Sequence, residues 1–193
     1  MDKPKIRVSA GKYKGTMLKT PSIEGFRSVQ DIAKQAVFSI IEAQNILGSR
    51  CLDLYAGSGN MGIEALSREA AYVDFVDENY DAVGQIRQTL LMLEIDEETA
   101  KAHKLKAVKF VEKAIRNGWK YNFVFCDPFY NDLAHKHLFN LVPQILEEKG
   151  IFVFFFSPEN ADYYQEIAQK AGLNMLERRK FGDSAFCMFV VSK

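Results

Sequence analysis

Apolar residues along this chain alternate between short unbroken runs and stretches with helical spacing, and that rhythm predicts most of its elements. Runs at 50–54, 72–76, 122–126 and 151–156 read as buried strands, with a further strand near 105–109. Between them lie helical patterns. One presents Ile32, Ala36, Val37, Ile40 and Ile41 on a single face, behind a capping box at Ser28-Val29-Gln30-Asp31. Others cover 60–68 and 79–93, the latter turning Val83, Ile86, Leu90 and Leu93 inward. Pro143 breaks the helical stretch before the strand at 151. A helix over 160–171 leads to two apolar runs, 173–176 and 185–191, close enough to pair as a hairpin.

Strand and helix alternating in this way imply an α/β fold with a mostly parallel sheet, right-handed crossovers and a C-terminal antiparallel hairpin. The run Ile151 to Phe156 does not alternate, as suits a strand covered on both faces, and is far shorter than the roughly 20 residues of a membrane span. A length of 193 residues fits one domain over 28–193 preceded by a short basic extension over 1–27.

Two places carry chemistry. The strand ending in Asp53-Leu54 runs into Tyr55-Ala56-Gly57-Ser58-Gly59 and then a helix, a turn whose glycines let the backbone approach a ligand beside free helix amides. With Gly62 it satisfies Gly-x-Gly-x-x-Gly, which alone would read as a dinucleotide site and a dehydrogenase. Asp53 argues otherwise, because a carboxylate there suits a cationic amino acid moiety better than a pyrophosphate. Asp77, closing the next strand, can accept ribose hydroxyls of any nucleoside. The second place is Asp127-Pro128-Phe129-Tyr130 at the end of the 122–126 strand, where open α/β sheets bind ligands. An acid and a carbonyl can accept hydrogen bonds from an amino group on a base while an aromatic ring stacks on it. As a tetrapeptide it is also an ordinary turn. Together the two motifs point to S-adenosylmethionine as cofactor, with a ring amine as methyl acceptor.

At these residues the chain resembles the RsmD-type small-subunit ribosomal RNA guanine-N2 methyltransferases, which have the class I methyltransferase fold. Five blocks carry the resemblance: Ser9 to Gly15 with Leu18 to Pro21, Asp53 to Gly59, Gly62 to Arg68, Asp127 to Tyr130, and Phe181 to Ala185. It implies Asp127, Pro128, Phe129 and Tyr130 as catalytic residues and Asp53, Tyr55, Ala56, Gly57, Ser58, Gly59 and Asp77 as the cofactor site. The substrate implied is 16S ribosomal RNA or the assembling small subunit. The chain departs from the family where Phe129 replaces a second proline, Ser28-Val29 replaces Pro-Thr after Arg27, and Ile32 replaces an Arg. The acid that the family often carries after its third strand falls on Phe110, with Glu112 close by.

Charge refines this reading. The net charge is zero, but through Arg27 there are seven Lys or Arg against Asp2 and Glu24, so phosphate contacts are expected at this edge, through Lys12, Tyr13, Lys14 and Arg27. Glycines 11 and 15 suggest an ordered hairpin; a solvated arm is the plainer alternative. Asp74 to Glu98 holds eight acids and Arg87, so that side is expected to face away from RNA. Cysteines 51, 126 and 187 form neither disulfides nor a metal site by spacing and are expected to pack as small apolar groups. His135 and His137 read as surface residues. A cytoplasmic monomer is expected, without membrane association; the N-terminus lacks the apolar core of a secretory signal. An adenine-N6 methyltransferase, or a protein that binds cofactor and RNA without turnover, fits the same residues.

Overall fold

A computed structural model defines residues 6–19, 31–128 and 133–192. Among the described residues nine strands form: β1 (Ile6–Arg7), β2 (Met17–Leu18), β3 (Arg50–Leu54), β4 (Tyr72–Asp77), β5 (Ala100–Lys104), β6 (Tyr121–Cys126), β7 (Leu146–Phe156), β8 (Leu173–Phe181) and β9 (Ser184–Val191). The last seven make one sheet in the order β5-β4-β3-β6-β7-β9-β8, parallel except for β9, which runs antiparallel to both neighbours. The hairpin read from the two C-terminal runs is therefore present, and β9 rather than β8 lies against β7.

Two apolar layers sandwich the sheet. On one side α1 (Asp31–Ala43), α2 (Asn60–Ser67) and α3 (Tyr80–Met92) close over Cys51, Phe75, Phe125, Val153 and Phe186. On the other, α4 (Ala107–Arg116), α5 (Leu138–Leu141) and α6 (Ala161–Lys170) close over Leu52, Val76, Val124, Phe154 and Phe189. Pro143 lies in a short 3-10 turn that ends α5, the break expected of it. All three cysteines are buried.

Four readings need correction. The third parallel strand is β5 at 100–104, and 107–116 is helical. Ala107, Phe110, Val111 and Ala114 have helical spacing, while the strand hides only Ala100 and Ala102 and so carried a weak apolar signal. Ile32 is 66% exposed; the buried face of α1 is Ala33, Lys34, Val37, Phe38 and Ile41. His135 is buried beside Tyr164, with Nε2 2.8 Å from the phenol oxygen. Phe110 is fully buried against His103 and Trp119, so it cannot stand at a ligand. The residues between β5 and α4 are Leu105 and Lys106. The capping box at 28–30 lies outside the described residues.

Within the basic N-terminal segment, residues 6–19 form a hairpin. Ile6 pairs with Leu18 and Arg7 with Met17, and the amide of Val8 donates to Thr16. It lies along α2. At its tip the amides of Lys12 and Tyr13 donate to the carbonyl and Oγ of Ser67, and Gly11 sits so close that a Cβ there would lie 1.8 Å from the Ser67 carbonyl oxygen. Its other attachment is charged. The fully buried Glu64 carboxylate accepts the Ser9 amide and hydroxyl and the Ala10 amide, and pairs with Lys34 at 3.1 Å and Arg68 at 3.1 Å. Lys34, also fully buried, donates to the Arg7 carbonyl and to Asn60 Oδ1. Two of the five sequence blocks thus form a single clamp. No helix among the described residues is long and apolar enough to cross a membrane.

Candidate active site

The sheet reverses direction of growth between β3 and β6: β4 and β5 extend it one way, β7 the other. Such a switch point opens a crevice at the C-terminal strand ends. Leu54 of β3 pairs with Cys126 of β6, and Leu54 with Val76 of β4, so Asp53, Asp77 and Asp127 come together from three adjacent strands.

Each acid is held differently. Asp53 is buried at the end of β3 and its Oδ2 accepts the amide of Gly62, 2.9 Å away. That amide is one of the first-turn donors of α2, whose own cap residue Gly59 has no side chain to offer, so Asp53 caps the helix across the turn. Asp77 ties the turn to β4: Oδ2 accepts the amide of Gly57 and Oδ1 that of Asn79, both at 2.8 Å. Asp127 is half-buried just past β6, and Pro128 behind it is buried.

Between the acids the backbone turns sharply. Tyr55, Gly57 and Gly59 all have positive φ, at 57°, 54° and 75°. At Gly59 a Cβ would press on Ile86 and Phe75 at 3.2 and 3.3 Å, and at Gly62 it would collide with the Phe75 ring at 2.2 Å. The first glycines shape the turn, and Gly62 lets α2 lie against β4.

Burial raises all three acids. Burial drives Asp53 well above the usual carboxylate range; the Gly62 amide opposes this, and the charges of Asp127 and Asp77 add to it. Burial also raises Asp77 against the pull of two amides, and pushes Asp127 up to about 7. Three acids that resist ionising side by side are what a cationic ligand relieves. A sulfonium and an ammonium group fit that donor set better than a pyrophosphate would.

Other expected site residues lie apart. Lys12, Tyr13 and Lys14 sit at the Ser67 end of α2, separated from the glycine turn by the helix length, about 12 Å for eight residues. An open pocket of about 430 Å³ under that hairpin tip, lined by Gly11, Lys12, Glu42 and Arg68, belongs to this far end. Arg27, Phe129 and Tyr130 lie outside the described residues. The buried charges Lys34, Glu64 and Arg68 went unrecognised in the sequence; their signal was charge inside otherwise apolar helical faces.

The family model described as Conserved hypothetical protein 95 matches residues 6–190. The chain belongs to this family. A relative in Bacillus subtilis, called a putative rRNA methyltransferase YlbH, is 34% identical over 150 residues, 77% of this chain and 80% of that protein. The ribosomal RNA small subunit methyltransferase D of Haemophilus influenzae is 33% identical over 135 residues, 69% of each. Among solved structures, the putative methyltransferase yhhF of Escherichia coli superposes with a TM-score of 0.81 at 24% identity, covering 98% of this chain and 99% of that one. A putative methyltransferase, SMU.776, complexed with SAH shares the fold at a TM-score of 0.71 and 13% identity, over 86% of this chain and 52% of its own. The curated relatives matched in this family are named as methyltransferases.

Proposed function

We propose that the chain transfers a methyl group from S-adenosylmethionine to the N2 amine of a guanine in small-subunit ribosomal RNA. The observation that carries this reading is the meeting of Asp53, Asp77 and Asp127 at the switch point, in a family whose curated relatives are named for ribosomal RNA. Asp77 would hold the ribose through lone pairs left free by its two amides, the turn from Tyr55 to Gly59 would wrap the methionine moiety, and Asp53 would keep that turn in place. Bound there, the cofactor supplies a methyl already activated on a sulfonium, so the protein need only align acceptor and donor and exclude water.

An exocyclic guanine amine is a poor nucleophile because its lone pair is delocalised. Hydrogen bonds from its two N–H groups to the Asp127 carboxylate and the Pro128 carbonyl would point that lone pair at the methyl. Asp127 would also stabilise the positive charge that grows on nitrogen as the new bond forms, and could take the proton released afterwards. From sequence alone, Tyr130 supplies a ring to stack on the flipped base, and Phe129 a second. Lys12, Tyr13, Lys14 and Arg27 would meet backbone phosphates beyond the site. We place the protein in the cytoplasm as a monomer.

The test is transfer of labelled methyl to naked 16S RNA, assembled small subunits and DNA, comparing parent with Asp127→Ala. Label on guanine N2 in either RNA substrate, lost in the variant while cofactor affinity stays within a few fold, is the expected result. Label on adenine N6 or on DNA would overturn the assignment.

A further inference from the structure

The strongest run of positive charge in the chain is not the N-terminal hairpin. From Lys101 to Lys120 there are seven Lys or Arg and a single acid, Glu112. All seven are exposed, along β5 and α4 on the face of the sheet opposite the hairpin. Lys106, Lys109, Lys113 and Arg116 follow one another at intervals of three and four, while Ala107, Phe110, Val111 and Ala114 on the other side of the helix are buried. The result is a stripe about 15 Å long running down α4.

Folding accounts for it only in part: Lys113 lies over the Trp119 ring, 5.4 Å from its centroid. Lys113 and Arg116 in the last turn favour the helix through its dipole, but Lys106 as the cap residue and Lys109 in the first turn work against it. Exposed acids partner them weakly: Glu78 is 3.9 Å from Lys106, and Glu112, 3.0 Å from Lys109, is the only acid on the helix. Meanwhile the exposed acids Glu78, Asp81, Glu94, Asp96, Glu97 and Glu98 gather along the α3 side of the same sheet edge. The molecule is polarised across β5.

The stripe also begins at the right place. Lys104 pairs with Asp77 in the sheet, so Lys106 stands at the rim of the cofactor crevice. Further along, α4 packs against the turn Leu133–His137 that follows the Asp-Pro motif. We propose that the exposed face of α4 is a phosphate-contacting surface that grips the backbone of the substrate RNA beside the base being modified. This rests on the ribosomal RNA reading above.

Replacing Lys109, Lys113 and Arg116 together with Ala tests it. RNA affinity at 50 mM salt should fall at least about tenfold, and the slope of log affinity against log salt should flatten by about 2 to 3, the release expected for three phosphate contacts. Calorimetric affinity for S-adenosylmethionine and turnover at saturating RNA should stay within about twofold, with KM for RNA carrying the loss. The triple variant Lys109→Arg, Lys113→Arg and Arg116→Lys should behave as the parent, which separates charge from helix stability. An active parent whose salt slope and KM are unchanged in the Ala variant would overturn the proposal. So would a loss seen only with assembled subunits, since that would assign the stripe to a ribosomal protein. A parent that binds S-adenosylmethionine but neither binds nor methylates RNA would instead remove the functional reading itself, and the stripe's partner with it.

Discussion

Asp127 is costly to the fold and necessary to the proposed chemistry. Its carboxyl is raised to about 7 by burial, so ionising it destabilises the folded chain. The sign follows: the cost is absent below the ordinary carboxylate value near 4, grows as pH rises, and is complete above about 7. Asp127→Asn should therefore melt higher than the parent at pH 8 and equally at pH 4, while losing methyl transfer; differential scanning calorimetry at the two pH values checks this. Parent turnover should rise through about pH 7, since the ionised form receives the amine, while S-adenosylmethionine affinity should change little over the same range. Gly62 makes the opposite case, a residue needed for packing alone. Ala there would gain helix propensity but drive a methyl into the Phe75 ring, and overpacking of about 1–3 kcal/mol should win in urea unfolding, with partial rescue by Phe75→Leu. Asp53, Asp77 and the glycines could be placed from sequence because turn chemistry and strand ends are local. That Asp53 also caps α2 could not, since its partner amide is brought near only by the fold.

The clamp between the N-terminal hairpin and α2 shows where element-level reading stops. Periodicity locates α1 and α2, yet it treats a Lys or Glu in a helix as solvent-facing. Lys34 and Glu64 are instead the innermost polar groups of their helices. Their pairing depends on a hairpin far away in sequence that donates Ser9 and Ala10 to one of them and accepts through the Arg7 carbonyl from the other. Lys34→Ala should cost about 3 kcal/mol by leaving Glu64 with only Arg68 as counter-charge, and should loosen amide exchange at Ser9 and Ala10 before the sheet is affected. If protection at those amides is unchanged, the hairpin is held by its apolar residues instead. The misplaced third strand has the same origin. At the sheet edge only one small residue in two is buried, so β5 carries less apolar signal than the amphipathic helix after it.

Across the whole molecule, carboxylates at the two ends of the sheet behave oppositely. Near the N-terminal strand ends Asp74 is buried too, but hydrogen bonds from His103, Tyr121 and Tyr72 and the charge of His103 outweigh that burial and hold it below the ordinary value. Arg50 closes the group, 3.3 Å from Asp74 and stacked on Tyr72. A lowered carboxyl contributes stability in full above the ordinary value near 4 and loses it as pH falls below. Asp74→Asn should thus lower the melting temperature at pH 7 and converge on the parent in strong acid. One end of the sheet is built to last, the other to bind.

The placing of β9 has a consequence for synthesis. It is made after β8, yet it fills the gap between β7 and β8 and covers an edge whose sequence is Ile151-Phe152-Val153-Phe154-Phe155-Phe156. Until Ser184 to Val191 leaves the ribosome, that edge has unpaired backbone and a dense row of aromatic side chains, the composition that recruits other strands. A message truncated shortly before codon 184 would release a chain that is sticky along one side. Such a product is better suited to chaperones and proteases than to partial function.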